Sequence, residues 1–288
     1  MKRPTFLLCW LVPVFFLGGC ATPPAGNAGA QSAGGGENGA RAYAESNPSF
    51  SGAYPRPLSD AQPASEEEKR ARIHVELGLG YYELGRTEVA LDEAKAALAS
   101  KSGYPPAYYL MGLVYMGLKQ NTLAEEAFRR ALSAAPGDPD FNNGYGLFLC
   151  NQKRVSEALS RYATSSANPY YLYKTRPFTN AGQCLLENNE LVRAESQFSK
   201  ALEADPSNSE ALYRLAEIAY RRGNFRGAHD LLIQYHRRFN LSARSVWLGL
   251  RAARRAGDRH TEASYAEQLR SRFAGSPENV LMMQGKYE

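Results

Sequence analysis

The chain has 288 residues, 44% of them apolar, enough for one or two domains with a real core and too many for a wholly disordered protein. Its formal net charge of +5 is too mild to argue by itself for a nucleic-acid partner. Because the chain is periodic over most of its length, it is counted in repeats and not in globules.

At the start, Lys2 and Arg3 precede an apolar run from Phe6 to Leu17, broken by Pro13. The run is shorter than the roughly 20 residues a permanent membrane helix needs, and has the proportions of a secretory signal. Leu17-Gly18-Gly19-Cys20 follows, and resembles the lipobox of bacterial lipoproteins, whose signal is cut before the cysteine and whose cysteine is then acylated. Ala21 stands where aspartate would retain such a protein in the inner membrane. The resemblance implies a signal peptide over residues 1–19, lipidation of Cys20, and anchoring in the inner leaflet of the outer membrane, facing the periplasm. More than one acyl chain holds stably, since each buried methylene contributes about 0.8 kcal/mol. The alternative is an ordinary cleaved signal with an incidental cysteine.

From Ala21 to about Ala64 the chain is dominated by Ala, Gly, Pro, Ser and Asn, and includes Gly34-Gly35-Gly36. So little apolar surface cannot offset chain entropy, so residues 20–65 are expected to be an acylated, disordered tether. As a flexible coil it would reach about 40 Å.

Structure is expected to restart at Ser65-Glu66-Glu67-Glu68, where Ser65 and Glu68 have the form of a capping box and three acids suit a helix N-terminus. The register is clearest from Pro105 to Asp138, a 34-residue unit marked by Tyr108, Met111, Gly112, Tyr115, Ala124, Phe128, Ala131 and Pro136. This pattern resembles the tetratricopeptide repeat, two antiparallel helices per unit. Small residues let helices approach, Tyr115 and Phe128 fill the space between them, and Pro136 ends the second helix. Ala90, Ala124, Ala158, Ala194, Ala228 and Ala263 carry the period along the chain, with a two-residue slip between Ala158 and Ala194. At the place of Phe128 the other units carry Ala94, Tyr162, Phe198, Leu232 and Glu267. The expected fold is all-α: a solenoid of about six helical hairpins over residues 66–276, with a right-handed superhelical twist. A disordered linker precedes it, and a C-terminal tail over 277–288 follows. The sixth unit reads as degenerate, as a terminal repeat facing water should.

In tetratricopeptide proteins the second, fifth, ninth and twelfth places of each first helix line a concave groove. Carried onto this chain, they give a groove that includes Val75, Leu79, Tyr82, Tyr109, Leu113, Met116, Asn143 and Leu147, short of charge over the first three units. Aromatic and Met side chains exposed together suit a peptide or helix from a partner. The alternative is that a tight twist makes some of them core.

Beyond Cys9 in the signal and Cys20, the chain keeps Cys150 and Cys184 on consecutive first helices. Two thiols in an oxidising compartment are a disulfide candidate, two buried free cysteines being the alternative. With four scattered histidines, no metal set is expected.

The stretch Phe141-Asn142-Asn143-Gly144-Tyr145-Gly146-Leu147-Phe148-Leu149-Cys150 and the segment Asn180-Ala181-Gly182-Gln183-Cys184 resemble the two cysteine motifs of type IV pilus biogenesis lipoproteins, the PilF or PilW family. The lipobox, the linker and six repeats extend the resemblance over nearly the whole chain; a longer linker and an extra Gly144 depart from it. The resemblance implies a pilotin that helps the pilus secretin PilQ reach, assemble in or persist in the outer membrane, with Cys150 and Cys184 as the family's cysteine pair. The runner-up is a tetratricopeptide lipoprotein serving another envelope machine, such as outer-membrane protein assembly or peptidoglycan synthase regulation.

No nucleophile elbow, zinc-protease helix, phosphate loop or dinucleotide fingerprint occurs, so no catalytic residue, cofactor or small-molecule substrate is expected. Charge is uneven: Ser209 to Gly275 carries thirteen arginines against six acids. This end could meet an acidic partner or lipid head groups, or be a solvated face with local ion pairs. Nucleic acid is not a partner in the expected compartment.

Overall fold

The helix starts and stops follow from a small set of side chains. Pro105, Pro139 and Pro277 open three helices, where a missing N–H costs nothing. Asp138, Asn208, Asn224, Ser242, Asp258 and Ser276 each accept a backbone N–H at a helix N-terminus. Ser65 accepts from the Glu68 N–H at 3.2 Å, but the returning arm of the expected capping box lands elsewhere. The Glu68 carboxylate accepts from the Ala64 N–H and pairs with Lys101 instead.

The computed structural model describes residues 57–58 and 61–287; the signal, Cys20 and most of the expected tether lie outside them. Thirteen helices and no strand occur among the described residues. Hairpin one is α1 (Glu66–Glu83) with α2 (Thr87–Ser100), hairpin two is α3 (Pro105–Gly117) with α4 (Asn121–Ala134), and hairpin three is α5 (Pro139–Asn151) with α6 (Val155–Ala167). Hairpin four is α7 (Thr175–Glu187) with α8 (Leu191–Ala204), hairpin five is α9 (Ser209–Arg221) with α10 (Phe225–Arg238), and hairpin six is α11 (Ala243–Ala256) with α12 (Arg259–Arg272). A short α13 (Pro277–Met283) follows. Each helix packs on its hairpin partner and on the next hairpin, the nearest-neighbour stacking of a tetratricopeptide solenoid.

Inside hairpins two to six the core is a large side chain of the second helix pressed onto a small residue of the first; hairpin one carries Ala94 at that place, and its Gly78 faces Leu110 of hairpin two instead. A Cβ added at Gly112 would lie 2.8 Å from the Phe128 ring, and one at Gly182 would lie 2.8 Å from Phe198. Such contacts are too short for any larger residue without moving the helices apart. Hairpin six keeps this lock, two residues ahead of the expected place. Tyr265, not Glu267, sits against Gly249, and Glu267 is exposed.

The expected C-terminal tail is partly helical. α13 buries Met282 among Val246, Trp247 and Leu250, and Tyr287 stacks on Trp247 with ring centroids 5.6 Å apart. The end of the stack is therefore closed by added chain more than by a polar sixth repeat.

Candidate partner-binding cleft

The first helices of hairpins one to three and the loop before α7 enclose a cleft of about 570 Å3. Five of the eight groove residues expected from the register line it: Val75, Leu79, Tyr82, Tyr109 and Leu113. Met116, Asn143 and Leu147 are not part of this lining. Asn143 is buried, and its Oδ1 accepts from Asn180 Nδ2 at 2.9 Å, which ties α5 to α7. Leu147 is 37% exposed away from the cleft, and Met116 Sδ lies 3.7 Å from Asn151 Nδ2.

Tyr109 forms the cleft's aromatic centre. Its ring stacks on Phe141 with centroids 5.0 Å apart and tilts against Phe128 at 6.1 Å. Gly144, the residue extra to the family motif, is what admits it: a Cβ there would stand 2.5 Å from Tyr109 Cε2. Burial raises the Tyr109 hydroxyl's pKa, so it stays protonated as a hydrogen-bond donor.

The far wall comes from the two-residue slip. The loop between α6 and α7 carries Tyr170-Tyr171-Leu172-Tyr173. Asn168 is buried, and its Oδ1 accepts from the Tyr170 N–H at 3.0 Å, turning the chain inward. Tyr171 is fully buried and its hydroxyl donates to Asp140 Oδ1 at 2.8 Å. Tyr173 lines the cleft at 56% exposure, with the Arg176 guanidinium 4.5 Å from its ring centroid. Period-based reading passes over these residues because an insertion has no place in a repeat. The run of three tyrosines in four residues was the available signal.

The cleft is less free of charge than its groove positions suggest. Arg72 pairs with Glu76 at 2.7 Å, and Arg176 with Asp140 at 3.3 Å, both among the lining residues. Asp138 lies beneath them, 3% exposed. One of its oxygens accepts from the Phe141 N–H at 3.0 Å to cap α5, and the other from the Leu58 N–H at 2.9 Å. Burial pushes its pKa up, and these two N–H groups oppose that in part.

Cys150 on α5 and Cys184 on α7 form a disulfide, with Cα atoms 5.9 Å apart and both side chains buried. Together with the pair Asn143–Asn180, it fixes hairpin four against hairpin three beside the inserted loop. At the arginine-rich end many of the cations are occupied. Arg254 and Arg259 pair with Glu262, Arg222 with Glu195, and Arg251 lies over both Tyr220 and Trp247. Among the described residues no cluster of three His, Cys, Asp or Glu could hold a metal, and no helix is long and apolar enough to cross a membrane.

A repeat stack with an apolar, aromatic-lined cleft defines a tetratricopeptide scaffold, a protein that works by holding other proteins. Residues 105–138 and 185–252 match the tetratricopeptide-repeat family. The type IV pilus assembly protein PilF of Pseudomonas aeruginosa is 30% identical over 205 residues, covering 71% of this chain and 81% of PilF. The chain belongs to the PilF family of type IV pilus biogenesis proteins. The solved structure of Pseudomonas aeruginosa PilF superposes with a TM-score of 0.67 at 28% identity, covering 77% of this chain and 100% of the other. That of PilW, a widely conserved type IV pilus biogenesis factor, gives 0.67 at 27% identity, covering 74% and 98%. These relatives are scaffolds of pilus biogenesis and not enzymes, and so is this chain.

Proposed function

We propose that the protein is an outer-membrane lipoprotein, held through acylated Cys20 and facing the periplasm, that binds the type IV pilus secretin and promotes its localisation, assembly or stability. The observation that carries the binding part is the cleft of about 570 Å3, with Leu79, Tyr82, Tyr109 and Leu113 presented together on one side of the stack. Apolar anchors recessed between charged rims are what an interface hot spot requires. Family membership supports the setting, since PilF and PilW are named for pilus assembly and biogenesis. The sequence from Leu17 to Cys20 supports the anchor.

Leu113→Asp places a charge in the cleft without touching a helix cap or a buried hairpin lock. It is expected to abolish capture of the secretin from solubilised outer membranes, and to remove heat-resistant secretin multimers from gels, while the helical circular dichroism stays at the wild-type level. Undiminished capture by a folded variant would defeat the assignment. Loss of membrane association in Cys20→Ser tests the anchor separately.

A further inference from the structure

The segment that precedes the repeats does not simply leave the stack. Pro57 is buried, and Leu58 packs against the large cluster containing Phe128, Phe141 and Tyr145 while also lining the cleft. The Leu58 N–H reaches 80 residues along the chain to Asp138 Oδ2, at 2.9 Å. The Ala61 N–H donates to the Leu58 carbonyl at 3.4 Å, and Arg72 Nη1 donates to the Ala61 carbonyl at 3.0 Å, holding the turn that follows. So one apolar side chain and one main-chain N–H from the non-helical chain ahead of α1 are already received at the edge of the cleft.

Asp138 is suited to that task in a way its neighbours are not. Helix backbones that line the cleft spend their carbonyls on their own ladders, so an incoming strand-like segment finds few acceptors there. Of the other acids of the lining, Glu83 is exposed to solvent, Glu76 is engaged by Arg72, and Asp140 by Tyr171 and Arg176. Asp138 is the buried one, and only one of its oxygens is needed to cap α5. An unmet buried carboxylate oxygen would be costly, so Oδ2 should always hold a donor.

We propose that Pro57-Leu58 is a resident occupant of the cleft, and that the partner enters as a non-helical segment whose own apolar side chain and backbone N–H replace those of Leu58 at Asp138. This rests on the reading that the cleft receives the partner. It deepens that reading by giving the chemistry of the recognised segment: unstructured, apolar at one position, with a free main-chain N–H at the same residue. Leu58 lies eight residues ahead of α1, so it competes at the high effective concentration of a short intramolecular link. Its removal should therefore tighten partner binding, the opposite of what loss of a contact residue does.

The test uses a fluorescent synthetic peptide with the sequence of residues 52–63, titrated into the full chain and followed by anisotropy. Wild type, with its site filled, should bind it weakly. Leu58→Asp should bind it about tenfold more tightly, as expected when a competitor at about ten times its own half-occupancy is removed. Adding Asp138→Asn, which keeps the helix cap but turns an amide toward the incoming N–H, should undo the gain. A peptide carrying Asp in place of its leucine should not bind any variant. Equal affinity for wild type and Leu58→Asp, or indifference to Asp138→Asn, would overturn the proposal. Secretin capture, run in parallel, separates the two readings. Capture lost in Leu113→Asp alongside a failed peptide series sinks only the resident occupant. A successful peptide series with capture undiminished in Leu113→Asp sinks the secretin reading and leaves the occupant standing.

Discussion

From hairpin two onward both halves of the stack, hairpins one to three and hairpins four to six, use the same lock, yet the halves present different chemistry. In the first half the aromatic side chains reach from the hairpin core to the cleft: Phe128 touches Tyr109, which stacks on Phe141 and borders an open volume. Both halves lay arginines on ring faces, as with Arg130 on Tyr108 in the first and Arg251 on Tyr220 and Arg255 on Phe225 in the second, but around Tyr220 and Phe225 no comparable cleft opens among the described residues. Guanidinium groups laid on ring faces keep such a surface soluble. The repeat thus supplies stability everywhere, and residues outside its fixed places decide which half can receive a partner.

The sharpest way to break this contrast is to damage equivalent locks. Phe128→Ala and Phe198→Ala each remove a fully buried ring from the same place in a hairpin, and each should cost about 3–5 kcal/mol in denaturant unfolding. Only Phe128→Ala should also loosen Tyr109 and weaken partner capture, measured under conditions where both variants remain folded. Equal loss of capture would mean that the halves are not functionally distinct.

Next in size is the disulfide, which spans 34 residues and joins the halves. Cys150→Ser with Cys184→Ser should lower stability by about 3–4 kcal/mol in the chain-entropy picture, and should split one melting transition into two as the halves uncouple. Coincident single transitions with and without the bridge would show that noncovalent packing alone couples them.

The smallest effect separates the halves by pH. His236 on α10 is half-buried. The Tyr265 hydroxyl contacts its Nδ1 at 2.9 Å, while Nε2 has no partner among the described residues. Burial lowers its pKa from 6.5 to about 4, so the folded state holds it neutral while the unfolded chain would take up a proton. Its contribution is complete above about pH 6.5 and is lost as the pH falls toward 4. In the protein lacking the Cys150–Cys184 bridge, where the halves melt separately, the transition of the second half should drop over that window and drop less when His236→Phe is added.

The sequence made five hairpins legible because small and aromatic residues recur at a spacing that only one packing explains. Gly112 with Phe128 and Gly182 with Phe198 need no structure to be recognised. Val75, Leu79, Tyr82, Tyr109 and Leu113 followed from the same register, and they do line one cleft. What escaped lies where the period is interrupted or absent. Tyr171 and Tyr173 sit in the inserted loop, Leu58 precedes the first repeat, and α13 follows the last. Asn143 was legible as an inward position, but its commitment to Asn180 depends on the distance between two helices, which spacing along one chain does not encode. Hairpin six was misregistered by two residues because an alanine, Ala263, was followed in place of the lock between Gly249 and Tyr265.

Placing the covalent tie between α5 and α7 has a mechanical consequence. When the chain is pulled from its two ends, tension passes directly from Cys150 to Cys184 and bypasses everything between them. All of α6, the tyrosine loop and most of α7 then carry no load, and the fully stretched chain is shorter by about 110 Å. Under traction from a filament machine, the hairpins on either side would give way first, and the wall built from Tyr171 and Tyr173 would be the last part to unravel.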